Sequence, residues 1–348
     1  MKKLPLLLFF LAVVSCVHRG KTTSSADESE KIDSLSEISQ KITAIPLETN
    51  PQCLLSELKQ VKQANAYIFI WNGNDIYRFS HQGVFINRVT SGNHYPVRAF
   101  TINHDNKHVI VLDTLNLVHS YAYDGNLLYT EDAEAFLPGQ TILDILYHNN
   151  YLWAVTENMP ADNRFEQWMY KLNLSFRPLE GAQIASVDLG RFYLAGNIQP
   201  KLFLTGQHVC VYAPFFAKEK LLTDTLYIVS SGQLNQKKIF PYRDNGNDFP
   251  AYSIPFMLSK RYLIASCQTH ESERENYLFC FDRKTNKAFN MNGLRDDFYQ
   301  TGIVKDLHPF DQTNQEFYFC KSGKDVTASF PDRKEDANPV LFVVKLNG

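Results

Sequence analysis

Six short segments share one pattern and frame the whole chain: YIFIW at 67–71, HVIVL at 108–112, YLWAV at 151–155, HVCVY at 208–212, YLIAS at 262–266 and EFYFC at 316–320. Their starts lie 41, 43, 57, 54 and 54 residues apart. Each opens on a side chain with a polar tip and continues apolar at nearly every position. Alternation is absent, so both faces of such a strand must be covered by protein. A unit of this period cannot bury two apolar faces alone and has to stack on its neighbours.

A second apolar strand follows each segment, at 76–79, 118–121, 169–172, 226–228, 278–281 and 341–344. A glycine then recurs at Gly83, Gly125 and Gly232, where a hairpin turn needs positive φ. No helical pattern of 10–15 residues separates the strands, which argues against a helix-covered parallel sheet. Small antiparallel sheets arranged radially bury both faces of every strand, so the fold class is all-β, a β-propeller of four-stranded antiparallel blades. The repeat count predicts six blades. Seven is the alternative, if the 57-residue gap hides another unit. The last unit lacks an outer strand, and the stretch 42–47 is left over at the other end. It is expected to complete the last blade and close the ring, which removes an open sheet edge.

Ile45-Pro46-Leu47-Glu48-Thr49, the stretch Leu54 to Val61, YIFIW and the Phe79–Gly83 turn together resemble the start of the six-bladed propeller lipoproteins of Bacteroides-like bacteria, which are similar to NHL-repeat propellers. The resemblance covers about residues 42–346 and is clearest over 42–130. Members often carry a Gly- and Pro-rich loop with a Glu-Tyr after the first blade. Here Gly92, Pro96 and an aromatic match, but Arg98 stands near the Glu position. The resemblance implies a fold and export, and no settled activity.

The N-terminus reads as an address. Lys2 and Lys3 precede an apolar run from Leu4 to Val14 that is too short to span a bilayer and fits a secretory signal. The run ends in Val13-Val14-Ser15-Cys16, which looks like a lipobox with Cys16 as the lipidated residue. Ordinary signal cleavage beside a stray cysteine is the alternative. The expected organisation is a signal peptide at 1–15, a lipidated Cys16 with a flexible tether over 16–41, and a propeller over 42–348. Within the tether, Ile32, Leu35, Ile38 and Ile42 have helical spacing, against a background of Ser, Thr and charge that reads as a weakly ordered stalk. Val17 in place of an acidic residue favours an outer-membrane lipoprotein of the cell envelope, in either leaflet.

Charged residues are 21% of the chain, aromatics 13%, and the formal net charge is −2. That excludes a disordered chain and argues against nucleic acid as a partner. No His-Glu-x-x-His, C-x-x-C, G-x-S-x-G, P-loop or dinucleotide fingerprint occurs, so no metal site, cofactor or catalytic residue is assigned. Cys53, Cys210, Cys267, Cys280 and Cys320 read as buried thiols in or beside strands. Cys267 and Cys280 share one expected hairpin and are the one candidate disulfide. His108 and His208 occupy the same repeat column as Tyr67, Tyr151 and Tyr262, which reads as structural. The pairs Asp296-Asp297 and Asp132, Glu134 read as solvated loop surface.

Loop lengths carry the functional expectation. Connections between the second and third strands of a blade lie on the same face as the crossovers to the next blade. They are short at 72–75 and 113–117 and long at 157–167, 213–224, 268–276 and 321–338. Long loops on a rigid scaffold are where binding residues concentrate. The candidate ligand-binding residues on that face are His94, Tyr95, Arg98, Arg164, Phe215, Phe216, Lys218, His270, Arg274 and Arg333. Aromatics among cations suit an anionic or glycan-like ligand. The chain therefore reads as a lipid-anchored binding or scaffold module for a glycan, peptide or envelope protein. A propeller lyase or hydrolase with its site at the channel mouth is the alternative.

Overall fold

The structure, a computed structural model, describes residues 32–347 apart from 56, 91–94, 159–168, 179–184, 195–199, 206–207, 214, 217–223, 231–232, 241–251, 260, 269–275, 286 and 312–313. The described strands form five four-stranded antiparallel sheets, one five-stranded sheet and a two-stranded ribbon. This is a β-propeller with four-stranded antiparallel blades. Every segment of the repeat is the second strand of its sheet: Tyr67–Trp71, His108–Asp113, Tyr151–Asn158, His208–Ala213, Tyr262–Gln268 and Glu316–Lys321.

The two-faced apolar pattern has a direct structural cause. Successive side chains of a strand point to opposite faces. In His108–Asp113, Val109 and Val111 join Phe69, Phe100 and Tyr123 in the core toward the preceding sheet. Ile110 and Leu112 join Ile145, Leu152 and Ala154 in the core toward the following sheet. Each sheet is thus a partition between two cores. Burial fades outward: Ile68, Phe69 and Ile70 are fully buried, while the outer strand Leu127–Asp132 is mostly exposed.

The innermost strands have one edge with no backbone partner, which would leave buried N–H groups unpaired. Side chains of the adjoining sheet fill the gap. Val61 N donates to Tyr318 Oη at 3.0 Å, Tyr147 N to Thr101 Oγ1 at 2.8 Å, and Leu202 N to Asp144 Oδ2 at 2.8 Å.

Strand Ser39–Pro46 pairs antiparallel with Val340–Leu346, setting Ile42 opposite Val344 and Ala44 opposite Phe342. A one-turn helix, Leu35–Ile38, precedes it. Leu35 and Ile38 are fully buried in the same core as Phe317, Phe342 and Val344. The expected tether boundary at residue 41 is therefore corrected toward the N-terminus: the Leu35/Ile38 spacing places both side chains against the sheets. Residues 16–31, with Cys16, lie outside the described residues.

Asn338, 3% exposed, ties this entry segment down. Its Oδ1 accepts from Leu55 N at 2.8 Å, and its Nδ2 donates to the carbonyls of Glu48 and Cys53, each at 2.6 Å. Asn338→Leu keeps the size and strands two buried backbone groups, Leu55 N and Cys53 O, while Glu48 O keeps the Cys53 Sγ donor. At about 1–3 kcal/mol for each unpaired group, it should lower unfolding stability by about 2 kcal/mol or more. Urea denaturation checks this, and a loss under about 0.5 kcal/mol would contradict it.

Three loop and cysteine expectations are corrected. Cys280 pairs in register with Ile264 while Cys267 pairs with Tyr277, a three-residue offset of about 10 Å along the strand, beyond disulfide reach; Cys280 is a buried thiol that burial pushes up to about 12. Asp296 is 1% exposed, and accepts from Phe298 N, Tyr299 N and Thr301 Oγ1 to fold its own loop. Asp297 accepts from Ser36 N at 3.1 Å, docking the short helix. Asp296 and Asp297 lie in the turn of a two-stranded ribbon, Leu294–Arg295 with Ile303–Val304.

Candidate functional site

The first strands of five sheets, Gln60–Ala64, Val97–Asn103, Thr141–His148, Lys201–Thr205 and His308–Asp311, border a cavity of about 560 Å³. These strands border the cavity on one edge and pair with the second strand of their own sheet on the other. Gln60–Ala64 buries Val61 and Ala64 and leaves Gln60, Lys62 and Gln63 half-open, whereas Val97–Asn103 and Thr141–His148 are buried along most of their length.

The wall is apolar with a cationic set. Leu146, Phe203, Leu204 and Phe310 supply the apolar surface; Lys59, Lys62 and Lys201 supply charge. Lys59 pairs with Glu57 at 2.7 Å. Lys62 sits with its Nζ 5.1 Å from the Phe100 ring centroid. Burial pushes the Lys62 ammonium down to about 8, with Lys201 adding to the fall and Asp144 opposing it. Burial also lowers His104 and His308. Asp144 is 5% exposed and already engaged: Oδ1 accepts from Ile145 N at 3.0 Å and Oδ2 from Leu202 N. Among the described residues, no group of three or more His, Cys, Asp or Glu is placed to hold a metal ion.

A family model described as a domain of unknown function, DUF4934, matches residues 22–345. The chain belongs to this family. The match spans all the sheets that border the cavity. A solved structure of a Bacteroides fragilis protein named as exported has 14% identity and a TM-score of 0.64, over 92% of this chain and 98% of that one. It shares the fold. The Myceliophthora thermophila Swd1 β-propeller domain gives 9% identity and a TM-score of 0.49 over 88% and 100%, and the Neurospora crassa Pan2 WD40 domain 10% and 0.43 over 84% and 76%. No curated protein matches the chain.

Of the loop residues singled out from the sequence, His94, Arg164, Lys218, His270 and Arg274 lie outside the described residues. Phe215–Phe216 is a two-residue strand that extends the third sheet beyond Tyr193 and Leu194. Tyr95 is 44% exposed. Arg98 donates to the carbonyls of Ile142 at 2.8 Å and Thr114 at 3.1 Å, joining two sheets. Arg333 donates to the carbonyls of Leu47, at 2.6 Å, and Asn338. Neither arginine lines the cavity. The cavity residues Lys59, Lys62, His104, Lys201 and His308 went unremarked in the sequence. Their signal was position: each lies four to eight residues before a repeat segment, on or beside the first strand of its unit.

Proposed function

We propose that this chain is an exported, lipid-anchored binding or scaffold module that takes a glycan, peptide or envelope partner at the axial cavity and the long-loop face around its mouth. The observation that carries the reading is the 560 Å³ cavity itself, with its apolar wall and lysines. Lys59, Lys201 and His308 stand at the starts of their strands, the end from which the second strands lead into their connections, which supports reading the cavity mouth and that face as one site. In this reading Tyr95 belongs to the outer part of the site, and Arg98 and Arg333 brace it by collecting backbone carbonyls.

The blade count we infer is six, with the ring closed by Ser39–Pro46. What supports it is the pairing of that strand with Val340–Leu346, and a core in which Ile68 and Ile70 meet Tyr318 and Leu341 of the final sheet. Export rests on Lys2, Lys3 and the apolar run to Val14, and on the name of the Bacteroides fragilis structure. Cys16 is the lipidation site: Cys16→Ser should lose radiolabelled palmitate and membrane association together.

A thermal-shift panel of acidic and neutral oligosaccharides, peptides and envelope extract tests the binding role. A bound ligand raises the midpoint by mass action. A folded protein unmoved by every member of the panel would refute it.

A further inference from the structure

We propose that Lys62, with Lys201 bordering the same cavity, holds the anionic group of a ligand whose apolar body fills that cavity. This deepens the binding role above and rests on it. Lys62 is half-buried, yet its ammonium makes no hydrogen bond or ion pair with a described residue. Its contact is the face of Phe100 at 5.1 Å, which stabilises the charge without using its three donors. Asp144 is the carboxylate that acts on it, but both Asp144 oxygens already accept backbone N–H groups. Lys201, on the strand Lys201–Thr205, borders the same cavity and repels it. A half-buried ammonium with unused donors, repelled by an exposed lysine on the same cavity, is an arrangement that an anion relieves.

The charged and titratable groups around the cavity are few. Asp144 and Lys201 act on Lys62 directly; His104 feels Lys62, Asp105 and Asp311; His308 feels Asp306; Lys59 is paired with Glu57. Tyr147 and Tyr318 also line the wall. The strand Tyr252–Leu258 carries Tyr252 as its one titratable group. Phe203, Leu204 and Leu146 give the wall its apolar part, so a bare ion fits poorly and an anion on a hydrophobic body fits well. Burial is what depresses the Lys62 ammonium, and a bound anion opposes that depression. By linkage, binding takes up a proton and weakens as pH rises through about 8.

The probe is 8-anilinonaphthalene-1-sulfonate, with N-phenyl-1-naphthylamine as the same body without the sulfonate. The full chain should bind one sulfonate probe, about tenfold more weakly at pH 9 than at pH 7. Lys62→Met should weaken the sulfonate by at least tenfold at pH 7 and flatten its pH profile, with the neutral probe unchanged as proof of an intact cavity. Lys62→Arg should keep the sulfonate and lose the pH dependence. Equal sulfonate affinity in wild type and Lys62→Met, or the same pH slope in Lys62→Arg as in wild type, overturns the proposal. Binding of neither probe to wild type overturns the cavity itself as a binding site, which is a separate result.

Discussion

A chain shortened to begin at residue 47 is expected to lose its cooperative unfolding transition. The deletion removes strand Ser39–Pro46, the seven register pairs it makes with Val340–Leu346, and the helix that carries Leu35 and Ile38. Leu35 and Ile38 are fully buried and Ile42 nearly so. Three such side chains at about 1.5–3 kcal/mol each amount to about 5–9 kcal/mol, against a typical domain stability of about 5–15 kcal/mol. The newly exposed edge of Val340–Leu346 is apolar and unpaired, which favours association with another chain. Circular dichroism during urea titration should show a broad, early transition, and light scattering should show self-association. A peptide of residues 32–46 added in trans should restore part of the midpoint. If the shortened chain melts with the full chain's midpoint, the pairing with Val340–Leu346 contributes little.

The second and third strands of each sheet were legible because burial on both faces leaves an uninterrupted apolar run, such as Val109 to Leu112. The strand over 39–46 was legible from its start at Ile42, but not its first three residues, because Ser39, Gln40 and Lys41 look like stalk. The cavity was illegible for the opposite reason. The strand Gln60–Ala64 is short and half-polar, QVKQA, with three of its five side chains half-open, so it reads as loop. Lys62 and Lys201 lie about 140 residues apart in sequence and border one cavity only through the arrangement of the sheets, which no local pattern encodes. Asp296 misled in the same way: a carboxylate in a crossover reads as solvated surface, yet here it folds the loop by accepting local N–H and O–H groups. Arg98 and Arg333 show that a cation on a loop has two uses, because strand ends leave carbonyls that a guanidinium can collect.

Gly83→Ala is expected to be among the most damaging single-atom-scale changes in the chain, and Gly139→Ala is its control. Both glycines have positive φ, +83° and +68°, which L side chains adopt at a cost of about 1–2 kcal/mol. At Gly139 a new Cβ meets nothing within 4 Å, so backbone strain is the whole effect. At Gly83 the new Cβ lies 2.2 Å from the Pro46 carbonyl oxygen. That oxygen belongs to a strand held by its pairing with Val340–Leu346, and cannot swing aside as a side chain would. The turn is pinned as well: Gly83 N donates to Ser80 O at 3.0 Å and Gly83 O accepts from Glu48 N at 2.8 Å, while the Glu48 carboxylate accepts from Phe85 N at 2.8 Å. Relief of the clash must therefore break contacts between the first sheet and the entry strand. The expected loss is about 3 kcal/mol or more for Gly83→Ala and about 1–2 kcal/mol for Gly139→Ala. Paired urea melts measure both. The difference between them isolates the close approach of the first turn to the chain's entry strand, and equal losses would mean that this approach is looser than 2.2 Å implies.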